Sequence, residues 1–232
     1  MRAALFDVFG TLLDVHSVAR RAEELYPGQG ARLSLLWREK QLEYSRLRTL
    51  SDRYVPFSQV TREALDYALL ALKLDVDEAR PFALLDEYKR LAPFMDVAPA
   101  LERLHQAGVR TGVLSNGDSE MLETALVTSG LHRYIDIVLS ADQVRAFKTS
   151  PLVYALGPRA LKRPAEEILF VSSNGWDAIG AAWYGYTSFW VNRMSMPLDQ
   201  LGGQPHGTGS TLADAVDFLL SIPIRNKTET AA

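Results

Sequence analysis

The chain has 232 residues, 47% hydrophobic and 23% charged, a balance that excludes a disordered, collagen-like or coiled-coil protein and fits one large domain or a core carrying an insertion. Lys and Arg number 25 against 28 Asp and Glu, a net charge of −3, so the basic footprint of a nucleic-acid binder is missing and a small molecule is the expected partner. With no cysteine, disulfides, thiolate metal sites and cysteine nucleophiles are excluded.

The apolar run after Arg2 is only Ala3-Ala4-Leu5-Phe6 before Asp7 interrupts it, too short for the core of a signal peptide. No stretch approaches the roughly 18–20 apolar residues that span a bilayer. The expectation is a soluble cytoplasmic protein with no membrane partner.

In chain order, short apolar runs that read as strands occupy 2–6, 109–114, 135–139, 168–171 and 188–191. Amphipathic stretches at 119–129, 151–162 and 176–184 lie between the last four, and this alternation predicts a doubly wound α/β core with a parallel sheet covered on both faces. The interval between the first two strands breaks the rhythm: 18–26, 31–48, 57–72 and 77–91 read as consecutive helices with no strand among them. An inserted α-helical cap over 15–92 is therefore expected, with a core of 1–14 and 93–232 and crossings near Asp14 and Ala92-Pro93. The glycine-rich 202–209 segment reads as a loop leading to a last helix capped at Ser210 or Thr211, and 226–232 as a frayed tail. Phe189 and Trp190 in the last strand, and Trp183 flanking it, read as core.

Ligands of open α/β sheets bind outside the carboxyl ends of the strands, so the residues at the strand ends are the candidates for a site. Asp7 ends the first apolar run, with Gly10 and Thr11 suited to a tight turn whose N–H groups face an anion. On this segment alone a turn-capping Asp stays open. The second run closes on Ser115-Asn116-Gly117, the third is followed by Lys148, and the fourth closes on Ser172-Ser173-Asn174-Gly175-Trp176-Asp177. Polar groups at four successive strand ends converge on one rim, and that convergence points to a site. The histidines His16, His105, His132 and His206 have no ligand spacing, so no zinc site is expected.

Asp7-x-x-Gly10-Thr11, Ser115-Asn116-Gly117, Lys148 and Ser172-Ser173-Asn174-x-Trp176-Asp177 together resemble the haloacid dehalogenase superfamily over nearly the whole chain. The cap stretch Trp37-Arg38-Glu39-Lys40-Gln41-Leu42-Glu43-Tyr44 and the Ser172 to Asp177 segment resemble the L-2-haloacid dehalogenases in particular. Phosphatases of the superfamily carry a second Asp two residues after the nucleophile and a later acidic pair that helps hold magnesium. Here Phe9 stands at the first position and Ser172 and Asn174 precede a single Asp177, so an alkoxide leaving group has no proton donor and a divalent ion loses oxygen ligands. A halide leaves without protonation, and Lys148 supplies positive charge beside Asp7.

The resemblance implies covalent catalysis. Asp7 would displace halide from an (S)-2-haloalkanoic acid with inversion, and water activated by Asp177 would hydrolyse the aspartyl ester to the (R)-2-hydroxy acid. Thr11, Lys148, Ser172 and Asn174 would orient Asp7 and stabilise the oxyanion. Ser115 would hold the substrate carboxylate, Tyr154 would be an orienting residue, and Arg38, Asn116 and Trp176 would cradle the halide. Leu42 and Phe57 would line the apolar side. No metal or other cofactor is implied, and a homodimer through the cap helices is. On a helical wheel of roughly 100° per residue, Arg38 also falls beside Leu35 and Leu42, opposite Glu39, Glu43 and Arg46, which predicts an anionic partner.

Four positions depart from the family pattern. Phe9 replaces a frequent Tyr, and Thr149-Ser150 a usual Pro-Asp, with a looser lysine loop expected. Arg46 replaces a frequent Trp, and Ser51-Asp52 a common Met-Gly. These bear on substrate range and rate. The competing readings are a metal-dependent phosphatase of the same superfamily and a catalytically silent interaction protein of the same fold.

Overall fold

A computed structural model describes residues 2–223 other than 76 and 78. The expected frayed tail at 226–232 lies outside them. The strands are β1 (Ala3–Phe6), β2 (Arg110–Ser115), β3 (Ile137–Ser140), β4 (Ile168–Ser172), β5 (Thr187–Val191) and β6 (Gly207–Gly209). They form one sheet in the order β3-β2-β1-β4-β5-β6, and every pair is parallel. This is the doubly wound α/β architecture the strand and helix alternation predicts.

β1 is the central strand, and its four residues are all buried because helices cover both faces. Its side chains alternate: Ala4 and Phe6 pack with Val113, Leu169 and Val171 on one face, while Ala3 and Leu5 pack with Leu114, Ile168 and Phe170 on the other. The chain leaves β1 for one half of the sheet and returns beside it as β4, so the crevice at the carboxyl ends of β1 and β4 is the switch point where ligands bind in such sheets. Asp7 emerges there.

Between β1 and β2 lie α1 (His16–Leu25), α2 (Gly30–Leu50), α3 (Phe57–Ala71), α4 (Ala79–Glu87) and α5 (Val97–Gln106). The first four form the helical cap. The chain enters and leaves it side by side: Asp14 N–H donates to Ala92 O at 2.8 Å and Phe94 N–H to Leu12 O at 3.1 Å. Trp37 and Leu65 of the cap are continuous with the apolar cluster of Phe6 and Leu12 in the core. α4 stops short of the expected Leu91, and the chain closes it with three-residue turns, Lys89 N–H to Asp86 O and Arg90 N–H to Glu87 O.

The remaining helices are α6 (Ser119–Thr128), α7 (Pro151–Tyr154), α8 (Leu156–Leu161), α9 (Gly175–Tyr184) and α10 (Leu212–Ser221). The single helix expected over 151–162 is two short ones. Pro158 has no N–H to offer the Tyr154 carbonyl four residues back, and that carbonyl accepts the Tyr186 hydroxyl at 2.5 Å instead. The expected cap of the last helix is present, with Thr211 Oγ1 and the Asp214 carboxylate forming a capping box. β6 corrects the reading of 202–209 as loop: Gly207-Thr208-Gly209 lies along β5, where any side chain at position 207 would strike the Phe189 ring. Phe189 and Trp190 are buried as expected, but Trp183 is 56% exposed on the outward face of α9 and is not core.

Candidate active site

β1 ends by hydrogen bonding Asp7 N–H to Val171 O at 2.9 Å, which fixes the Asp7 side chain at the sheet's edge with 7% of its surface exposed. The chain then turns tightly, Gly10 adopting φ +90, a conformation that costs glycine little. This turn brings Thr11 back over Asp7. Thr11 Oγ1 donates to Asp7 Oδ2 at 2.9 Å and accepts from Ser173 N–H at 2.8 Å, so one hydroxyl links the ends of β1 and β4. Asn174 Nδ2 gives Asp7 Oδ2 a second hydrogen bond at 3.1 Å.

The other oxygen, Asp7 Oδ1, lies 3.0 Å from Lys148 Nζ, which also lies 2.8 Å from Asp177 Oδ2. Tyr154 OH donates to Asp177 Oδ1 at 2.7 Å, and Asp177 is fully buried. Burial pulls the Lys148 ammonium down, but the charges of Asp177 and Asp7 and their hydrogen bonds outweigh it and hold its pKa above the ordinary lysine value. Burial drives the Asp177 carboxyl up. The charge of Lys148 opposes that and the charge of Asp7 reinforces it, so the pKa stays above the ordinary carboxylate value. One ammonium is shared between two carboxylates, and that accounts for both directions. The Tyr154 phenol is raised well above its usual value, by burial first and by the Asp177 charge second.

A small pocket of about 20 Å³ opens over Asp7 between cap and core, lined by Asp7, Phe9, Arg38, Leu42, Phe57, Ser115, Asn116, Lys148, Asn174 and Trp176. All but Phe9 are among the expected site residues. The other four expected residues act from behind the lining. Thr11 binds Asp7 as described. Asp177 is reached through Lys148, and Tyr154, expected to orient, does so through Asp177. Ser172 Oγ accepts Asn174 N–H at 3.1 Å and so shapes the turn that carries Asn174. Ser115 Oγ similarly accepts Gly117 N–H at 3.2 Å, and Asn116 Oδ1 accepts Lys148 N–H at 2.8 Å.

Arg38 lines the pocket, on the face of α2 that it shares with Leu42. Leu35 is 63% exposed, so Arg38 is not flanked by buried leucines on both sides. Within the protein, Arg38 Nη1 donates to Gln41 Oε1 at 2.7 Å. Gln41 is fully buried; its Nε2 donates to Thr61 Oγ1 at 2.8 Å, and Thr61 Oγ1 donates to Phe57 O at 2.7 Å. Sequence reasoning missed this chain, for which the only local signal is the three-residue spacing of Arg38 and Gln41. It also missed Arg193, whose Nη2 donates to Thr11 O at 3.1 Å while Nη1 pairs with Asp96 at 3.0 Å, bracing the turn that carries Thr11. Trp190 Nε1 donates to Ser173 O at 3.1 Å and braces the facing turn.

Residues 1–185 match the family model described as haloacid dehalogenase-like hydrolase. The chain is 43% identical over 222 residues to haloacetate dehalogenase H-2 of Moraxella sp. (strain B), covering 96% of this chain and 99% of that one. The chain belongs to the haloacid dehalogenase-like hydrolase family. It is also 41% identical over 218 residues to the (S)-2-haloacid dehalogenase of Pseudomonas sp. (strain YL), covering 94% of each. Among solved structures it resembles the L-2-haloacid dehalogenase of Xanthobacter autotrophicus with chloropropionic acid covalently bound, at a TM-score of 0.90 and 36% identity, covering 96% of this chain and 100% of that one.

Seen within the family, the four departures have local accommodations. Phe9 lines the pocket and packs edge-on against Tyr88, ring centroids 6.0 Å apart, with no hydroxyl to offer. Asp52 adopts φ +55, a conformation Asp tolerates better than most residues. The lysine loop is tied by three hydrogen bonds: Lys148 N–H to Asn116, Phe147 N–H to Thr49 Oγ1 at 2.9 Å and Ser150 N–H to Phe147 O at 2.9 Å. Ser150 caps α7 in place of the usual Asp. Arg46 places its guanidinium 5.1 Å from the centre of the Trp176 ring. Among the described residues, no group of three or more His, Asp or Glu is placed to hold a metal ion.

Proposed function

We propose that this chain is a hydrolytic dehalogenase that converts (S)-2-haloalkanoic acids to (R)-2-hydroxyalkanoic acids and halide. The observation that carries the reading is the Lys148 ammonium held between Asp7 and Asp177 beneath a pocket with an apolar wall and a single arginine at its cap side. An Asp7 oxygen attacks C2 from the face opposite the halogen; the new O–C bond forms as the C–halogen bond breaks, and the halide takes the bonding pair. Water then attacks the carbonyl of the Asp7 ester, giving one proton to Asp177. The tetrahedral intermediate collapses by breaking the bond from carbonyl carbon to the original ester oxygen. The departing alkoxide takes up that proton and leaves as the hydroxy acid, and the second proton of water is released to solvent as Asp7 returns to its carboxylate. Thr11 and Asn174 already donate to Asp7 Oδ2 and Lys148 to Oδ1, so whichever oxygen is left as the ester carbonyl has donors in place when it becomes the tetrahedral oxyanion, and a preorganised donor of this kind is worth about 3 kcal/mol. Ser115 and neighbouring backbone N–H groups receive the substrate carboxylate, and Arg38, Asn116 and Trp176 receive the halide.

The test is halide release from the two enantiomers of 2-chloropropionate, followed by a single turnover with excess enzyme in heavy-oxygen water. Release from the S enantiomer and label in the Asp7 peptide are expected. Label confined to the hydroxy acid sinks the ester route, and magnesium-dependent phosphate release in place of halide release reinstates the phosphatase reading.

The reading includes a cytoplasmic homodimer. No helix among the described residues is long and apolar enough to cross a membrane. Leu47 and Leu50 of α2 and Leu70 of α3 are more than half exposed, and a second copy of the chain is the occupant inferred for them. Sedimentation of the wild type against Leu50→Glu checks it: a monomeric wild type sinks the dimer.

A further inference from the structure

The pocket over Asp7, about 20 Å³, has room for roughly one water molecule. A three-carbon halo acid therefore enters only when cap and core part. Along one side the two are tied by directed hydrogen bonds: Tyr54 OH to Asp142 Oδ1 at 2.7 Å, Thr49 Oγ1 from Phe147 N–H at 2.9 Å, and Asp118 Oδ2 from Ser58 N–H at 2.9 Å. Where α2 faces the start of α9, the recorded contact is Arg46 over the half-buried Trp176 ring at 5.1 Å, an undirected attraction weaker than those bonds at an exposed site.

Leu42 stands on both sides of this boundary. It lines the pocket over Asp7 and also an outer depression of about 380 Å³ along α2, whose charged residues are Glu39, Glu43 and Arg46. Glu43 is paired with Lys40 at 2.7 Å. An anion approaching along this depression meets two carboxylates and one cation, and the cation is the residue resting on Trp176, itself a wall of the pocket.

We propose that the Arg46–Trp176 contact is the mouth of the site and that Arg46 is its specificity-determining residue, drawing anionic substrates past Leu42 to Asp7. The inference rests on the dehalogenase reading for its substrate. Arg46 touches none of the reacting atoms; it offsets the repulsion of Glu39 and Glu43 and releases the Trp176 ring as the cap lifts.

The experiment measures the association rate of (S)-2-chloropropionate with an Asp7→Asn background by stopped-flow tryptophan fluorescence, with and without Arg46→Glu, across a potassium sulfate series. Arg46→Glu should slow association about tenfold at low ionic strength, and the gap should close as salt screens the rim. Arg46→Lys should keep most of the wild-type rate, whereas Arg46→Trp, which keeps an aromatic stack without charge, should fall between. An Arg46→Glu rate equal to the parent's, or a deficit that salt does not change, overturns the proposal. Halide release by the wild type reports on the dehalogenase reading separately: release with an indifferent Arg46 leaves that reading standing and removes the mouth. Absence of release removes the reading while the association rates still decide the mouth, and absence of any binding overturns both.

Discussion

Lys148 Nζ stands 3.0 Å from Asp7 Oδ1 and 2.8 Å from Asp177 Oδ2, so a single buried ammonium couples the proposed nucleophile to the group proposed to activate water. Asp7 follows β1, Asp177 lies in the first turn of α9 just after the adjacent strand β4, and the cation comes from the loop after β3. Assembly of the sheet is therefore assembly of the triad. Between two carboxylates this ammonium provides positive charge without a metal ion, and its raised pKa keeps it charged throughout the physiological range.

Lys148→Met should lose turnover by at least about a thousandfold, and exhaustive chelation or added magnesium should leave both wild type and variant unchanged. Recovery of the variant by magnesium would mean that a metal can serve this site. Stability should fall as well, by about 3–5 kcal/mol near neutral pH, because removing one partner of a buried ion pair strands the others. The sign with pH follows from Asp177. Its pKa is raised in the folded protein and rises further without Lys148, so the folded variant favours the protonated carboxyl, and that stability is present in acid and lost as pH rises through the folded value. The gap in unfolding free energy between wild type and variant should therefore narrow from pH 7 to pH 5, and a gap that is flat or widens contradicts the assignment.

Tyr154→Phe separates positioning from chemistry. Its hydroxyl donates to Asp177 Oδ1, a bond that lowers the Asp177 pKa against the dominant effect of burial. In the proposed mechanism Asp177 must be ionised to accept the proton of water, so the acid limb of the kcat profile should lie above the ordinary carboxylate range. In Tyr154→Phe it should move to higher pH, with a loss at the plateau of about tenfold or less. A loss of activity with no displacement of the limb would assign Tyr154 to packing alone.

The parts of this site that were legible in the sequence are those that a strand end marks locally. Asp7 interrupts an apolar run, and Ser115, Ser172 and Asp177 follow such runs, so their convergence needed only a parallel sheet. Arg38 was legible through the cap stretch around it, while the wheel argument misplaced Leu35, because the outer face of α2 carries leucines that the core never covers. The same limit applies to Trp183, whose aromatic character says nothing about which side of α9 it occupies. β6 was hidden because Gly207-Thr208-Gly209 has no apolar alternation; its glycines are required by close approach of Phe189 and Asp214, a tertiary fact. The Gln41–Thr61 bond joins residues 20 apart in sequence, on two helices whose packing register no single-helix pattern encodes.

That bond gives the last prediction. Arg38 points into the pocket because Gln41 Oε1 holds its Nη1 and Thr61 holds Gln41 in turn. In the transition state the departing halide gains charge that the intact carbon–halogen bond does not carry, so a cation fixed on that side lowers kcat when lost more than it weakens substrate binding. Arg38→Ala should show this split in full, with a steeper loss for chloro than for bromo substrates, since the poorer leaving group depends more on the stabilisation. Arg38→Lys should recover little, because a lysine ammonium is a compact point charge on a flexible stem and lacks the planar fork that holds donors in fixed directions toward Gln41 and halide. Gln41→Leu keeps the charge but frees its direction, and should reproduce the chloro-over-bromo bias at about a tenth of the Arg38→Ala loss, within the range of a misplaced group, while Gln41→Glu retains the acceptor and should recover part of it. Equal losses on chloro and bromo substrates in Gln41→Leu would show that Gln41 serves the packing of α2 on α3 and leaves Arg38 to position itself.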